Sequence, residues 1–85
     1  MTAYVANSGG HTVTPINTAI NKAGQPVKVG PGPVGIAITP NGKTAYVANG
    51  GLPRSDTVTP IRTATNTALP AIKVGKSPSA IAITP

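Results

Sequence analysis

The sequence predicts an all-β chain of two four-stranded antiparallel units, and three observations carry that prediction. The phrase TAYVANSGGHTVTPI, starting at Thr2, returns from Thr44 as TAYVANGGLPRSDTVTPI. The apolar residues are mostly Ala, Val and Ile beside many Thr, with no Phe or Trp and two Tyr; β-branched side chains favour pleated strands. Ten glycines and ten prolines interrupt every window long enough for a helix. An armadillo- or HEAT-type helical pair of similar repeat length is thereby excluded.

The repeat divides the 85 residues into a first unit, 1–43, and a second, 44–85. Thr2, Tyr4 and Asn7 match Thr44, Tyr46 and Asn49, and further on Val13, Pro15, Gly30, Ile36 and Pro40 match Val58, Pro60, Gly75, Ile81 and Pro85. The spacing grows from 42 to 45 where SGGH becomes GGLPRSD, which marks a surface turn tolerant of length. A period in the low forties, with turn signals about every ten residues, points to four-stranded propeller blades.

Each unit resolves into four short strands. Thr2–Asn7 is one, closed by a Ser/Gly turn, and His11–Ile16 (HTVTPI) is the next, returning as Asp56–Ile61. Gln25–Val29 and Pro70–Val74 come third, each before a glycine; Gly35–Pro40 and Ala80–Pro85 come fourth. Asn41-Gly42 reads as a hairpin turn, because both residues tolerate positive φ. Pro15 and Pro60 remove a ladder donor inside a strand, which suits a bulge or a free edge.

The motifs PNGKTAYVANGG, DTVTPIRTATNTA, AIKVG and PSAIAITP, in this order, resemble the YVTN-type β-propeller repeat of surface-layer and YncE-like proteins. The tetrad stands here as Tyr4-Val5-Ala6-Asn7 and Tyr46-Val47-Ala48-Asn49. Asn17 and Arg62 occupy a place where that family commonly carries Asp, so any role of that acid is missing. The resemblance implies that IAITP is the innermost strand of a blade, KTAYVAN the second, TVTPI the third and VKVG the outermost. The two blades are then circularly offset, with a second strand first and an innermost strand last. Such rings usually hold about seven blades, against two encoded here. Two readings follow: a fragment joined to the remaining blades of a parent propeller, or an oligomerising piece that self-associates head to tail. In the second, three or four copies complete one another's blades around a ring. An isolated monomer is the least favoured state in either case, since it exposes two strand edges.

Net charge is +6, from seven Lys and Arg against Asp56 alone. These cations are neither adjacent to one another nor interleaved with aromatics, which argues against nucleic-acid binding. The absence of cysteine excludes disulfides and thiolate metal sites. No apolar run approaches membrane-spanning length, and the first residues lack the basic start and apolar stretch of a signal peptide. The resemblance implies export or a cell-surface location for a full-length parent; the chain itself assigns no compartment.

No catalytic, cofactor-binding or metal-ligating residue can be assigned. Paired-carboxylate chemistry needs two acids. His11 and Asp56 occupy matching places just before TVTPI and read as strand starts or turn caps, a blade apart. Ser8, Ser55, Ser77 and Ser79 lie in turns without an oriented base. The run Val29–Gly35 (VGPGPVG) lacks the Gly-Lys-Ser/Thr of a phosphate loop. Tyr4 and Tyr46 read as inter-blade core. The expected function is therefore a non-enzymatic module that binds a protein or surface ligand through its blade-edge loops. Those loops are SGGH, GGLPRSD, NTAINKAGQ (Asn17–Gln25) and RTATNTALP (Arg62–Pro70). The alternative is a piece of a lactonase- or lyase-like propeller enzyme whose catalytic residues lie on other blades, an analogy of fold alone.

Overall fold

The structure, a computed structural model, describes residues 1–52 and 55–84. Its nine strands are β1 (Thr2–Asn7), β2 (Thr12–Asn17), β3 (Lys22–Ala23), β4 (Val27–Lys28), β5 (Pro33–Ile38), β6 (Thr44–Asn49), β7 (Thr57–Arg62), β8 (Thr67–Ala68) and β9 (Ile72–Lys73). No helix is present among the described residues. The strands form two sheets. In one, β1 pairs with β2, and β2 pairs with both β3 and β4; in the other, β5, β6 and β7 run side by side, and β7 pairs with both β8 and β9. All pairs are antiparallel.

The second sheet is a full blade: β5 innermost, β6 second, β7 third, and the outermost strand split into β8 and β9. The first sheet holds the last three of these positions. Sheet boundaries therefore cut across the sequence repeat, because β5 belongs to the first repeat but pairs with β6 of the second. The two copies of TAYVAN lie in the same register, Tyr4 opposite Pro15 and Tyr46 opposite Pro60.

Two details differ from the sequence reading. The outermost strand is shorter than Gln25–Val29 and Pro70–Val74, and an extra two-residue strand lies inside each loop that follows Asn17 and Arg62. Pro15 accounts for the split. Its carbonyl accepts from Gly24 N at 2.8 Å, so the side of the residue that lacks an N–H also faces outward, where β3 and β4 leave a gap. Pro60 repeats the arrangement with Leu69 N at 2.8 Å. Secondly, residues 80–84 form no strand, although 35–38 of near-identical sequence do. Strand β5 acquires its ladder by turning back onto β6; residues 80–84 have no such partner.

The β5–β6 turn uses one left-handed residue rather than two. Gly42 adopts φ 72°, while Asn41 keeps negative φ and its Oδ1 accepts from Lys43 N and from Thr39 Oγ1, at 2.9 and 2.7 Å. Asn21 and Asn66, at equivalent places in the repeat, supply the left-handed residue of the turns after β2 and β7, at φ 54° and 52°.

The core lies between the sheets: Val13, Val27 and Val29 from the first meet Ala45, Val47 and Ile61 from the second, with Tyr4 and Ile36 at the margin. The same hexapeptide has two fates. In β6, Ala45, Val47 and Asn49 are fully buried, being flanked by β5 and β7 and facing the first sheet. In β1, Ala3 and Val5 are exposed, Val5 at 42%. Truncating the two equivalent valines therefore separates sequence from context. At concentrations where the chain is monomeric, Val47→Ala is expected to cost about 2 kcal/mol of unfolding free energy. Val5→Ala is expected to stay within about 0.5 kcal/mol; chemical denaturation measures both.

Candidate functional site

The connectors at one end of the sheets, residues 8–11, 29–32, 50–52, 55–56 and 74–79, are held by a lattice of backbone hydrogen bonds. His11 and Asp56, at matching positions before β2 and β7, do the same work: their carbonyls accept from Val29 N and Val74 N, each at 2.7 Å. Gly10 O and Ser55 O accept from Gly32 N and Ser77 N, at 3.0 and 2.6 Å. Gly32, at φ 66°, turns its carbonyl to Gly50 N and Gly51 N, at 3.0 and 2.7 Å. Its Cα lies so close to Gly51 that a Cβ on either residue would collide with the other. These contacts hold the glycine run in place and leave the amides of Gly30 and Gly32 donated within the chain.

A polar lock lies beneath this lattice. Asn49 is fully buried, and its Nδ2 donates to Thr59 Oγ1 at 2.8 Å and to Thr57 Oγ1 at 3.2 Å. Thr59 Oγ1 also accepts from Gly30 N of the neighbouring connector at 3.3 Å, tying the two sheets together. Gly30 has no room for a side chain, since a Cβ there would stand 2.7 Å from Asn49 Nδ2. The first sheet repeats the lock with Asn7 and the hydroxyls of Thr12 and Thr14, at 3.0 and 2.8 Å, but half-buried. Among the described residues Asn49 Oδ1 has no hydrogen-bond partner. The lock has a sequence signal that none of the motifs above includes: Asn at the end of both TAYVAN copies, and Thr-x-Thr in both following strands.

On the surface above, Pro31, Leu52, Ser55, Asp56 and Thr57 line a depression of about 210 Å³. Ser55 is buried and donates to Pro31 O at 3.1 Å, so its hydroxyl fixes the wall and is not poised for attack. Leu52 is 48% exposed. The Asp56 carboxylate lies 4.0 Å from Lys73 Nζ, and both side chains reach solvent, the lysine at 83%. An exposed pair of this kind contributes little stability and leaves the carboxylate accessible to another cation. The sequence reading of His11 as a turn residue agrees with its exposed side chain and its bonded carbonyl. No group of three His, Cys, Asp or Glu comes together among the described residues. Part of GGLPRSD, Pro53 and Arg54, lies outside the described residues.

At the opposite end, the half-buried Tyr4 hydroxyl donates to Asn66 Oδ1 of the other repeat at 2.7 Å. Partial burial raises the Tyr4 pKa above its ordinary value. Of the two tyrosines expected in the inter-blade core, Tyr4 packs at the margin of the inter-sheet core, whereas Tyr46 is half-buried on the other face of β6.

No family model and no curated protein matches the chain. Among solved structures it is similar to hydrazine synthase of Kuenenia stuttgartiensis, a propeller-containing protein, at 33% identity and a TM-score of 0.84. The alignment covers 93% of this chain and 22% of that one, so the chain spans about a fifth of its length. The likeness supports a β-propeller-like fold without singling out the YVTN-type family.

Two outcomes are expected from the side chains that join the sheets. Asn49→Ala, which leaves Thr57 and Thr59 without their buried donor, should destabilise by about 2 kcal/mol, and Asn7→Ala by under about 1 kcal/mol; urea unfolding checks the difference. Because the folded-state pKa of Tyr4 lies above the unfolded one, its protonated form contributes stability that is complete below the ordinary tyrosine value of about 10. That contribution is lost as pH rises through the folded value. The drop in melting temperature between pH 8 and pH 11 should therefore be smaller in Tyr4→Phe than in the parent.

Proposed function

We propose that the chain is a non-enzymatic β-propeller repeat module that binds a protein ligand through its blade-edge loops and works joined to further blades. The supporting observation is the depression at Pro31, Leu52, Ser55, Asp56 and Thr57, held on a rigid backbone lattice. Residues that recur between the repeats, such as the Asn–Thr lock, build the fold. Several residues that differ between the repeats stand here: Ser55 and Asp56 where the first repeat has Gly10 and His11, Pro31 where the second has Lys76, and Leu52 in the lengthened connector. The apolar surface of Leu52 and Pro31 beside one accessible carboxylate fits a side chain with an apolar stem and a cationic head, Lys or Arg of a partner. Asp56 is the sole acidic side chain and His11 the sole histidine of these 85 residues. General acid–base chemistry of the paired-carboxylate kind would need a second group from elsewhere.

A second reading draws on the name of the similar solved structure, which is that of an enzyme. In it, these blades belong to a propeller enzyme, with lactonases and lyases as fold-level analogies, and other blades supply the catalytic acids and histidines. Glu, Asp and His at the loop positions of those blades would favour it; continued scarcity of acids favours the binding module.

The test is a phage-displayed peptide library panned against the 85-residue chain, with Leu52→Asp/Asp56→Lys as the comparison. Enriched peptides should carry Lys or Arg beside apolar residues and should bind the double variant at least about tenfold more weakly. Peptides that bind both proteins equally would overturn the assignment of the loop end.

A further inference from the structure

The interface between the two sheets of one chain is a template for a second interface between two chains. Its three components each have an unfilled counterpart elsewhere in the molecule, displaced by one repeat. The first is a ladder. Strand β5 pairs with β6 as Ile36↔Val47, Ala37↔Tyr46 and Ile38↔Ala45. By sequence, residues 81–83 repeat 36–38 identically, and Thr2–Asn7 repeats Thr44–Asn49 identically. Yet β1 pairs on one side alone, with β2, and residues 80–84 form no strand. Ile81 Cγ2 comes within 4.0 Å of the position a Cβ on Gly35 would take, which sets this segment alongside β5 of its own chain.

The second component is a face. Ala45 and Val47 of β6 are fully buried against the first sheet, whereas their counterparts Ala3 and Val5 are exposed. The third is the polar lock. Gly30 fits against Asn49 and Thr57 of the next sheet so closely that no Cβ could be added. Its counterpart Gly75 has open space within 4 Å of the same position, and the counterpart of Asn49 is Asn7, half-buried on the first sheet.

We propose that a second copy of this chain occupies the free side of the first sheet. Residues 80–84 of one copy add to β1 of the next as an antiparallel innermost strand, in the register Ile81↔Val5, Ala82↔Tyr4 and Ile83↔Ala3. The second sheet of the first copy then packs on Ala3 and Val5 of the next, with Asn7 of that copy seated over Gly75. Backbone pairing satisfies an edge that otherwise invites uncontrolled association, and the apolar face is covered at the same time. The contact is heterologous, so it propagates from copy to copy and ends only when the rotation closes a ring. It deepens the reading of a module joined to further blades and is independent of what the loop end binds.

The chain has no native cysteine, which permits a direct test. Thr39 N donates to Thr44 O, so Ile38↔Ala45 next to it is a non-hydrogen-bonded pair, the closer kind in an antiparallel ladder and suited to a disulfide. Two variants of the full chain, Ala3→Cys and Ile83→Cys, are mixed under a glutathione redox buffer. The expected product is a mixed disulfide between the two chains, several-fold more abundant than from Ala3→Cys mixed with Ala82→Cys, whose side chain belongs to the other face. Equal yields from the two mixtures would overturn the register. Light scattering on a size column gives a second reading. Gly75→Val, placed in open space, should retain the parent's β-type circular dichroism and melt as the unassembled parent does, but remain monomeric where the parent associates. A Gly75→Val chain that assembles like the parent overturns the seating of Asn7. A β-folded parent that is monomeric at all concentrations overturns self-association altogether, while peptide binding at the loop end would stand or fall by its own assay.

Discussion

A sheet built from Ala, Val, Ile and Thr is too thin to bury its own faces, and the packing of Val13, Val27 and Val29 against Ala45, Val47 and Ile61 supplies the missing half. Everything else in the chain is arranged around that contact. With no Phe or Trp available, no single side chain contributes a large buried area, so the core depends on close approach of two flat surfaces. Small residues permit that approach: fully buried Ala45 in β6, and Gly30 where the connector crosses Asn49. The same thinness explains why one blade cannot stand alone and why the period is repeated at all.

Polar groups decide how the two surfaces are aligned. Burying the Asn49 amide carries a penalty unless its donors are used, and Thr57 and Thr59 accept from it while Thr59 also accepts from Gly30 N. The lock therefore works only when the connector of one sheet lies over the third strand of the next. Above it, the carbonyls of His11, Gly10, Asp56 and Ser55 and the left-handed turn at Gly32 fix the connectors. The loop end is consequently a rigid platform, and Leu52 and Asp56 are displayed on it at little entropic cost.

The resemblance in sequence and the likeness in structure agree on the propeller and diverge in resolution. Four motifs in order suggest a repeat family, while 33% identity over 93% of this chain to a fifth of hydrazine synthase supports the architecture. That part of a larger protein can match nearly all of this chain is what a repeat architecture produces, since each blade contacts its neighbours alone. Function in such a fold lies in the loops and not in the blade framework, and the loops are where the two repeats of this chain part company.

Most strand and turn positions were legible in the sequence, because alternation, Gly/Pro punctuation and repetition are local signals; the place of TVTPI beside TAYVAN within a blade was implied by the family resemblance. So was the length-tolerant connector before Asp56. The split of the outermost strand was half legible: Pro15 and Pro60 announced a lost donor, but which side of the strand lost it depends on the ladder register. The Asn–Thr lock was written twice in the sequence and still went unread, since an Asn at a strand end has no meaning until Thr-x-Thr of the next strand is opposite it. By itself the sequence determined a repeating set of short strands and the turns between them. Burial was decided only by the tertiary structure. Identical TAYVAN segments become an exposed edge in β1 and a buried centre in β6, and near-identical IAIT segments become strand β5 or the unpaired 81–84. A strand's environment is set by the neighbours that pair with and cover it, and those neighbours are a property of the assembled sheets.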